Sequence, residues 1–169
     1  MKITPYFKIY LVDDDEIYLS ALEQKIKENS VSKIKIEKFI NGEDCLKGLS
    51  ENPNLIVLDY FLSNKLKGIN GLDILRKIKR SNKDLKVIML SGQDQMNVAI
   101  NSIKYGAYDY IVKNETSFIK IQNSINNIIH NNNLKEQSRK HKNRFRIAGA
   151  ALVSLVIVLI TFSFYYLFR

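Results

Sequence analysis

Five short apolar runs punctuate the chain, and each is followed by a stretch of different rhythm. Lys8-Ile9-Tyr10-Leu11-Val12, Leu55-Ile56-Val57-Leu58-Asp59 and Lys86-Val87-Ile88-Met89-Leu90 each hold four consecutive apolar residues. Such runs predict strands buried on both faces, as in a parallel sheet. Ile34 to Ile40 instead alternates Ile34, Ile36 and Lys38 against Lys35, Glu37 and Phe39, which predicts a strand nearer the sheet edge. Tyr108 to Val112 predicts a fifth strand. The intervening spacings are helical: 15–28 with Ile17, Leu19, Leu22 and Ile26 on one face, a short helix over 43–49, and 72–80 with Leu72, Ile74, Leu75 and Ile78 inward. Two more follow over 94–105, closed by Gly106, and 117 to about 131, with Ile119, Ile121, Ile125, Ile128 and Ile129 apolar. Five alternations of strand and helix predict an α/β fold: a five-stranded parallel sheet, doubly wound. Right-handed crossovers then place helices on both faces.

The pattern changes at Asn131-Asn132-Asn133, which reads as a break. Lys135 to Arg146 is polar and basic, and Ile147 to Phe168 is 22 residues without a charge. A helix of that length spans roughly 33 Å, enough to cross a hydrocarbon core of about 30 Å. Tyr165, Tyr166 and Phe168 sit at its far end, as an interfacial aromatic belt does. The expected organisation is a body over 1–131, a basic linker over 132–146 and a C-terminal transmembrane helix over 147–168. The basic flank places the body on the cytoplasmic side of an inner or cytoplasmic membrane, single-pass, by the positive-inside rule. Ala150 and Ser154 form a small-xxx-small pair, a spacing compatible with a homodimer through this helix.

Charge follows the same division. Of the formal net +9, residues 1–130 contribute +3 and residues 131–169 contribute +6. The basic excess belongs to the tail, where it serves as a stop-transfer flank, and the body does not read as a nucleic-acid binder. Cys45 is the only cysteine, so no internal disulfide forms. Met1 to Lys8 carries no apolar signal-peptide core. His130 and His141 are isolated and are read as neither ligands nor bases.

Chemistry concentrates at the strand ends. An unpaired carboxylate is too costly inside a buried strand, so Asp59 belongs at the strand's carboxyl end, where open α/β sheets place ligand sites. Asp13-Asp14-Asp15 ends the first strand, Ser91-Gly92 the fourth and Lys113 the fifth. In a parallel sheet all of these reach one edge. Carboxylates gathered there repel one another unless a hard cation joins them, and oxygen ligands suit Mg²⁺. A phosphoryl group on Asp59 would need a hydroxyl donor and an ammonium, which Ser91 and Lys113 supply. Asp15 suits the N-cap of the first helix. Gly92 leaves room for an incoming group.

Taken in order, Asp13 and Asp14, Asp59, Ser91, Tyr110 and Lys113 resemble the receiver domain of two-component signalling, of the CheY-like type, across residues 8–130. The resemblance implies a response regulator without enzymatic turnover beyond self-dephosphorylation. Asp59 would accept a phosphoryl group from a histidine kinase or a histidine phosphotransfer protein. It implies a Mg²⁺ site of Asp13, Asp14, Asp59 and the backbone carbonyl of Phe61. Ser91 and Lys113 would bind the phosphoryl oxygens and Tyr110 would act as the switch aromatic, reshaping the face of the fourth helix, fifth strand and fifth helix. Phe61 and Gln93 match positions that tune self-dephosphorylation. The downstream target is not named by the residues; the tether suggests partner binding at the membrane or service as a phosphate sink.

Two departures from that family stand out. The stretch from Asp59 to Gly71 lacks the usual Met-Pro and is about four residues longer, with Lys65 and Lys67 added. Asn114 follows Lys113 where the family has a proline with a cis bond. A non-proline cis bond costs about 2.5–4 kcal/mol, so a trans or strained loop is expected. These departures keep a second reading in view, a degenerate receiver serving as a constitutive interaction module. A third, a haloacid-dehalogenase-like phosphatase using Asp13 and Asp15, leaves Asp59 unexplained.

Overall fold

The computed structural model describes residues 6–30, 33–62, 70–92 and 95–167, with side chains from 140 onward described only in part. The elements alternate as expected: β1 Phe7–Val12, α1 Glu16–Glu28, β2 Ile34–Phe39, α2 Gly42–Gly48, β3 Leu55–Asp59, α3 Gly71–Ser81, β4 Lys86–Ser91, α4 Met96–Lys104, β5 Asp109–Val112 and α5 Ser117–Leu167. A single turn of 3₁₀ helix over Leu49–Glu51 follows α2, a feature the periodicity does not predict. The sheet is parallel throughout, in the order β2-β1-β3-β4-β5. The alternating strand, β2, lies at an edge, as its half-polar pattern requires.

The apolar runs explain the layering. Successive strand residues face opposite sides of the sheet. Tyr10, Val12, Ile56, Leu58, Val87 and Met89 form one buried cluster with Cys45 of α2 and Ile74, Leu75 and Ile78 of α3. The alternate set, Ile9, Leu11, Leu55, Val57, Ile88 and Leu90, is equally buried, and α1 and α5 contribute the buried Leu19, Leu22, Ile26, Ile121 and Ile125. One residue expected on the apolar face is outside it: Ile17 is 83% exposed, and Ile119, apolar in the pattern, is likewise 64% exposed. Each lies two residues before a buried apolar residue, and two helical residues turn by about 200°. The buried set keeps the three- and four-residue spacing and leaves these outside.

Two compact units divide the chain, Met1–Asn127 and Ile128–Arg169. The expected break at Asn131-Asn132-Asn133 is absent, because α5 remains helical through it. Asparagine costs a growing helix well under about 1 kcal/mol per residue relative to alanine, and neither glycine nor proline interrupts the run until Gly149. Among the described residues no helix is long and apolar enough to cross a membrane. The expected span over 147–168 rests on side chains that, apart from Gly149 and Ser154, lie outside the described residues.

Candidate functional site

In this strand order the direction of winding reverses between β1 and β3, and that reversal opens a crevice at their carboxyl ends. Asp13 and Asp14 leave β1 at that point, and Asp59 is the last residue of β3. One carboxylate oxygen from each of Asp13, Asp14 and Asp59 lies within 4.8 Å of the others. Asp13 and Asp59 are buried, each 2% exposed, whereas Asp14 is exposed. Asp15 turns away from this group. Its Oδ1 accepts from the amides of Ile17 at 2.9 Å and Tyr18 at 3.0 Å, so it caps α1. The phosphatase reading thereby loses the second carboxylate of its pair.

The counter-charge comes from the far side of the sheet. Lys113 Nζ donates to Asp13 Oδ2 at 2.6 Å and lies 2.7 Å from Asp59 Oδ1. The second contact is an ion pair outside hydrogen-bonding angles, so the buried Asp59 Oδ1 has no aligned donor. Asp13 Oδ1 is taken by the amide of Asp15 at 3.1 Å. Among the described residues no peptide bond is cis, so Lys113 reaches both carboxylates from a trans bond to Asn114. The amide of Lys113 donates to the Ser91 carbonyl at 2.8 Å, which sets the ends of β5 and β4 side by side. Ser91 is fully buried at that edge. Tyr110 is half-buried against the core cluster. Phe61 is 47% exposed, its ring edge-on to Tyr60 at 4.7 Å. Gln93 and the added Lys65 and Lys67 fall outside the described residues.

Burial dominates the electrostatics. It pushes the Asp59 carboxyl above its ordinary value. Asp13 adds to that, while Lys113 and the backbone amide of Phe61 oppose it. Burial disfavours the Lys113 ammonium too, but its hydrogen bond to Asp13 and its pairing with Asp59 outweigh that and raise its pKa. The result is a buried acidic group with one cation shared between two carboxylates. An under-coordinated oxygen in a set of hard donors fits a divalent cation such as Mg²⁺.

Two residues at this edge escape the sequence reading. Tyr18, in the first turn of α1, places its ring 4.5 Å from Lys113 Nζ and stacks on Phe118 at 5.5 Å. Its burial raises its own pKa, with Ser117 and Lys113 pulling the other way. Gly71 opens α3 against the end of β3; a Cβ there would lie 2.1 Å from the Asp59 carbonyl oxygen. The Gly71 amide donates to the Tyr60 carbonyl at 2.8 Å, and Asn70 with Asp73 forms a capping box. Only the glycine following a capping asparagine hints at this in the sequence. Gly92 has open space around it, as expected.

Comparison with known proteins agrees with this arrangement. The profile of the response regulator receiver domain family matches residues 9–126. A putative response regulator NtrX-like protein of Rickettsia conorii is 36% identical over 106 residues, covering 62% of this chain and 21% of that protein. The nitrogen assimilation regulatory protein NtrX of Azorhizobium caulinodans is 34% identical over 103 residues, covering 61% and 22%. The chain therefore spans about a fifth of the length of these curated relatives. Among solved structures, the signal receiver domain of a putative Luxo repressor protein from Vibrio parahaemolyticus superposes with a TM-score of 0.67 at 22% identity, covering 79% of this chain and 97% of that one. The BeF3-activated DrrB receiver domain gives a TM-score of 0.64 at 25% identity, covering 75% and 99%. With the profile matched across β1 to α5 and the strand-end acids gathered at the crevice, this chain belongs to the response regulator receiver domain family.

Proposed function

We propose that the chain is a membrane-tethered receiver in which Asp59 takes a phosphoryl group from a histidine kinase or a histidine phosphotransfer protein. The observation that carries this reading is the single ammonium of Lys113 set between Asp13 and Asp59 at a topological switch point. An oxygen of Asp59 attacks phosphorus, the phosphorus–nitrogen bond of the phosphohistidine breaks, and the imidazole leaves with its electron pair and takes a proton. The product is an acyl phosphate on Asp59. Asp13, Asp14, Asp59 and the Phe61 carbonyl would hold Mg²⁺. When bound, the cation offsets the charge of the phosphoryl oxygens. Lys113 is positioned to leave Asp13 and follow the phosphoryl oxygens, and Ser91 offers its hydroxyl from the adjoining strand end. Tyr110 then serves as the aromatic that reports the change to the α4–β5–α5 face, a two-state response to a local charge.

The degenerate-receiver reading draws on the missing proline after Lys113. The reach of Lys113 to both carboxylates from a trans bond weighs against it. The protein is a phosphoryl acceptor rather than a turnover enzyme. The uncharged 147–168 segment and its basic flank support a C-terminal anchor with the receiver facing the cytoplasm. Output is then partner binding at the membrane or drainage of phosphoryl groups from a relay.

Intact mass after incubation with acetyl phosphate and Mg²⁺ tests the chemistry. One added phosphoryl mass is expected, absent in Asp59→Asn and absent with chelator. No adduct, together with no beryllofluoride binding, sinks the acceptor reading in favour of the constitutive module. Carbonate-resistant sedimentation with membranes tests the anchor, and release by carbonate refutes it.

A further inference from the structure

At the sheet edge opposite Asp59, the C-terminal ends of α3 and α4 border a cleft of about 630 Å³ lined by Arg76, Lys79, Arg80, Lys83, Lys104 and Tyr105. Five of these six residues are cations. Two are built into place. The Arg76 guanidinium carbon lies over the Tyr105 ring, 3.9 Å from its centroid, and the group pairs with Asp73 at 3.4 Å. Lys79 Nζ donates to the Leu85 carbonyl at 2.5 Å and the Lys83 carbonyl at 3.3 Å. Its stem runs beneath Gly106, whose φ of 93° turns the chain out of α4. Arg80, Lys83 and Lys104 are exposed, and among the described residues their side-chain nitrogens have no carboxylate or hydrogen-bond partner.

Helix dipoles account for part of this. Lys79 and Arg80 occupy the last turn of α3 and Lys104 the last turn of α4, where cations are favoured. They do not account for Arg76, a turn earlier, or for Lys83, which lies beyond the helix. Nor do they explain why all five cations border one concavity, where like charges repel. The concavity is open to solvent, and its volume falls in the range of small-molecule sites, about 300–1,000 Å³. A planar, immobilised guanidinium offers paired donors suited to phosphate oxygens. We propose that the α3–α4 cleft binds a small polyphosphate anion, a chain of two or three phosphoryl groups, held by the cations that border it. This site is distinct from Asp59 and does not depend on its phosphorylation.

The test is isothermal titration calorimetry of the full chain in non-ionic detergent, with chelator present to silence the acidic crevice. Pyrophosphate is the probe, orthophosphate the comparison, and the Arg80→Ala/Lys83→Ala/Lys104→Ala variant the control for the cleft. Saturable one-to-one binding is expected, weakened about tenfold or more in the triple variant. Asp59→Asn is expected to bind as wild type, so failure of the acceptor reading leaves this result untouched. Inorganic triphosphate and adenosine triphosphate separate a bare chain from a nucleotide, and tighter binding of either supports the assignment. Absent saturation, an unaffected triple variant, or equal affinity for orthophosphate overturns it. So does variant-sensitive binding of phosphatidylglycerol vesicles without pyrophosphate binding, which would make the cleft a membrane contact.

Discussion

The ring of Tyr18 lies against the ammonium of Lys113, 4.5 Å from centroid to Nζ, and its other neighbour is the ring of Phe118. A partly desolvated cation on an aromatic face gains about 0.5–2 kcal/mol. Tyr18 therefore acts as a positioning residue for Lys113, in a loop that lacks the usual proline. Tyr18→Leu is expected to slow phosphorylation by acetyl phosphate about tenfold, and Tyr18→Phe, which keeps the ring, to restore most of the rate. Equal rates in Leu and wild type would show that Lys113 holds its place unaided.

Lys113 is also a structural counterion. Its removal in Lys113→Met leaves Asp13 and Asp59, each 2% exposed, with no cation between them. Stranding buried charge in this way costs about 3 kcal/mol or more. Urea denaturation of Lys113→Met is expected to show a lower midpoint with an unchanged slope, and the variant is expected to regain stability when Asp59→Asn is added. An additive double variant would mean that the two side chains do not interact energetically.

The end of β3 and the start of α3 touch backbone to backbone. Gly71→Ala places a methyl 2.1 Å from the Asp59 carbonyl oxygen and 2.8 Å from the Tyr60 Cα, neither of which is a flexible tip. A loss of about 2 kcal/mol or more in thermal or urea unfolding is expected, with slower phosphorylation because the acceptor itself is displaced. Gly92→Ala is the contrasting case. It meets nothing within 4 Å and is expected to change stability by less than about 0.5 kcal/mol.

Cys45 is fully buried, and burial pushes its thiol from the ordinary 9.0 up to about 12. Native protein is expected to resist Ellman's reagent at neutral pH and to react with one equivalent after denaturation. The sign of the linkage is fixed by the raised folded value. Below pH 9 both states keep the proton and nothing is lost; between pH 9 and about 12 only the unfolded thiol ionises, so stability falls as pH rises. Tyr10, whose hydroxyl donates to the Gly48 carbonyl at 2.8 Å, is likewise raised from 10.0 to about 12 by burial and steepens the same decline. Cys45→Ala is expected to flatten it by up to about 1.4 kcal/mol per pH unit. An identical alkaline profile would assign the decline to other groups.

What could be read in advance follows from the range of the forces involved. The run Leu55–Leu58 ending in Asp59 announces both a buried strand and a carboxylate at its edge, because four apolar residues and one charge decide that locally. Asp15 announces a cap for the same reason. Ile17 and Ile119 are as apolar as their neighbours, yet the helical turn sets them about 200° from Leu19 and Ile121. The asparagines at 131–133 look like a break because asparagine favours turns, yet a helix already under way tolerates them. Tyr18 was out of reach for a different reason. Its partner Lys113 lies on another strand end, and no periodicity links them.

The hydrogen bond between Lys113 and Asp13 joins residues 100 positions apart. During synthesis the three acidic side chains emerge well before the lysine that balances them. Until β5 is laid against β4, the acidic crevice has no ammonium from Lys113 to receive a phosphoryl group, even though Asp59 has already been made. On the proposed reading of Asp59 as acceptor, the lysine that would receive the phosphoryl oxygens takes its place only when the sheet is complete.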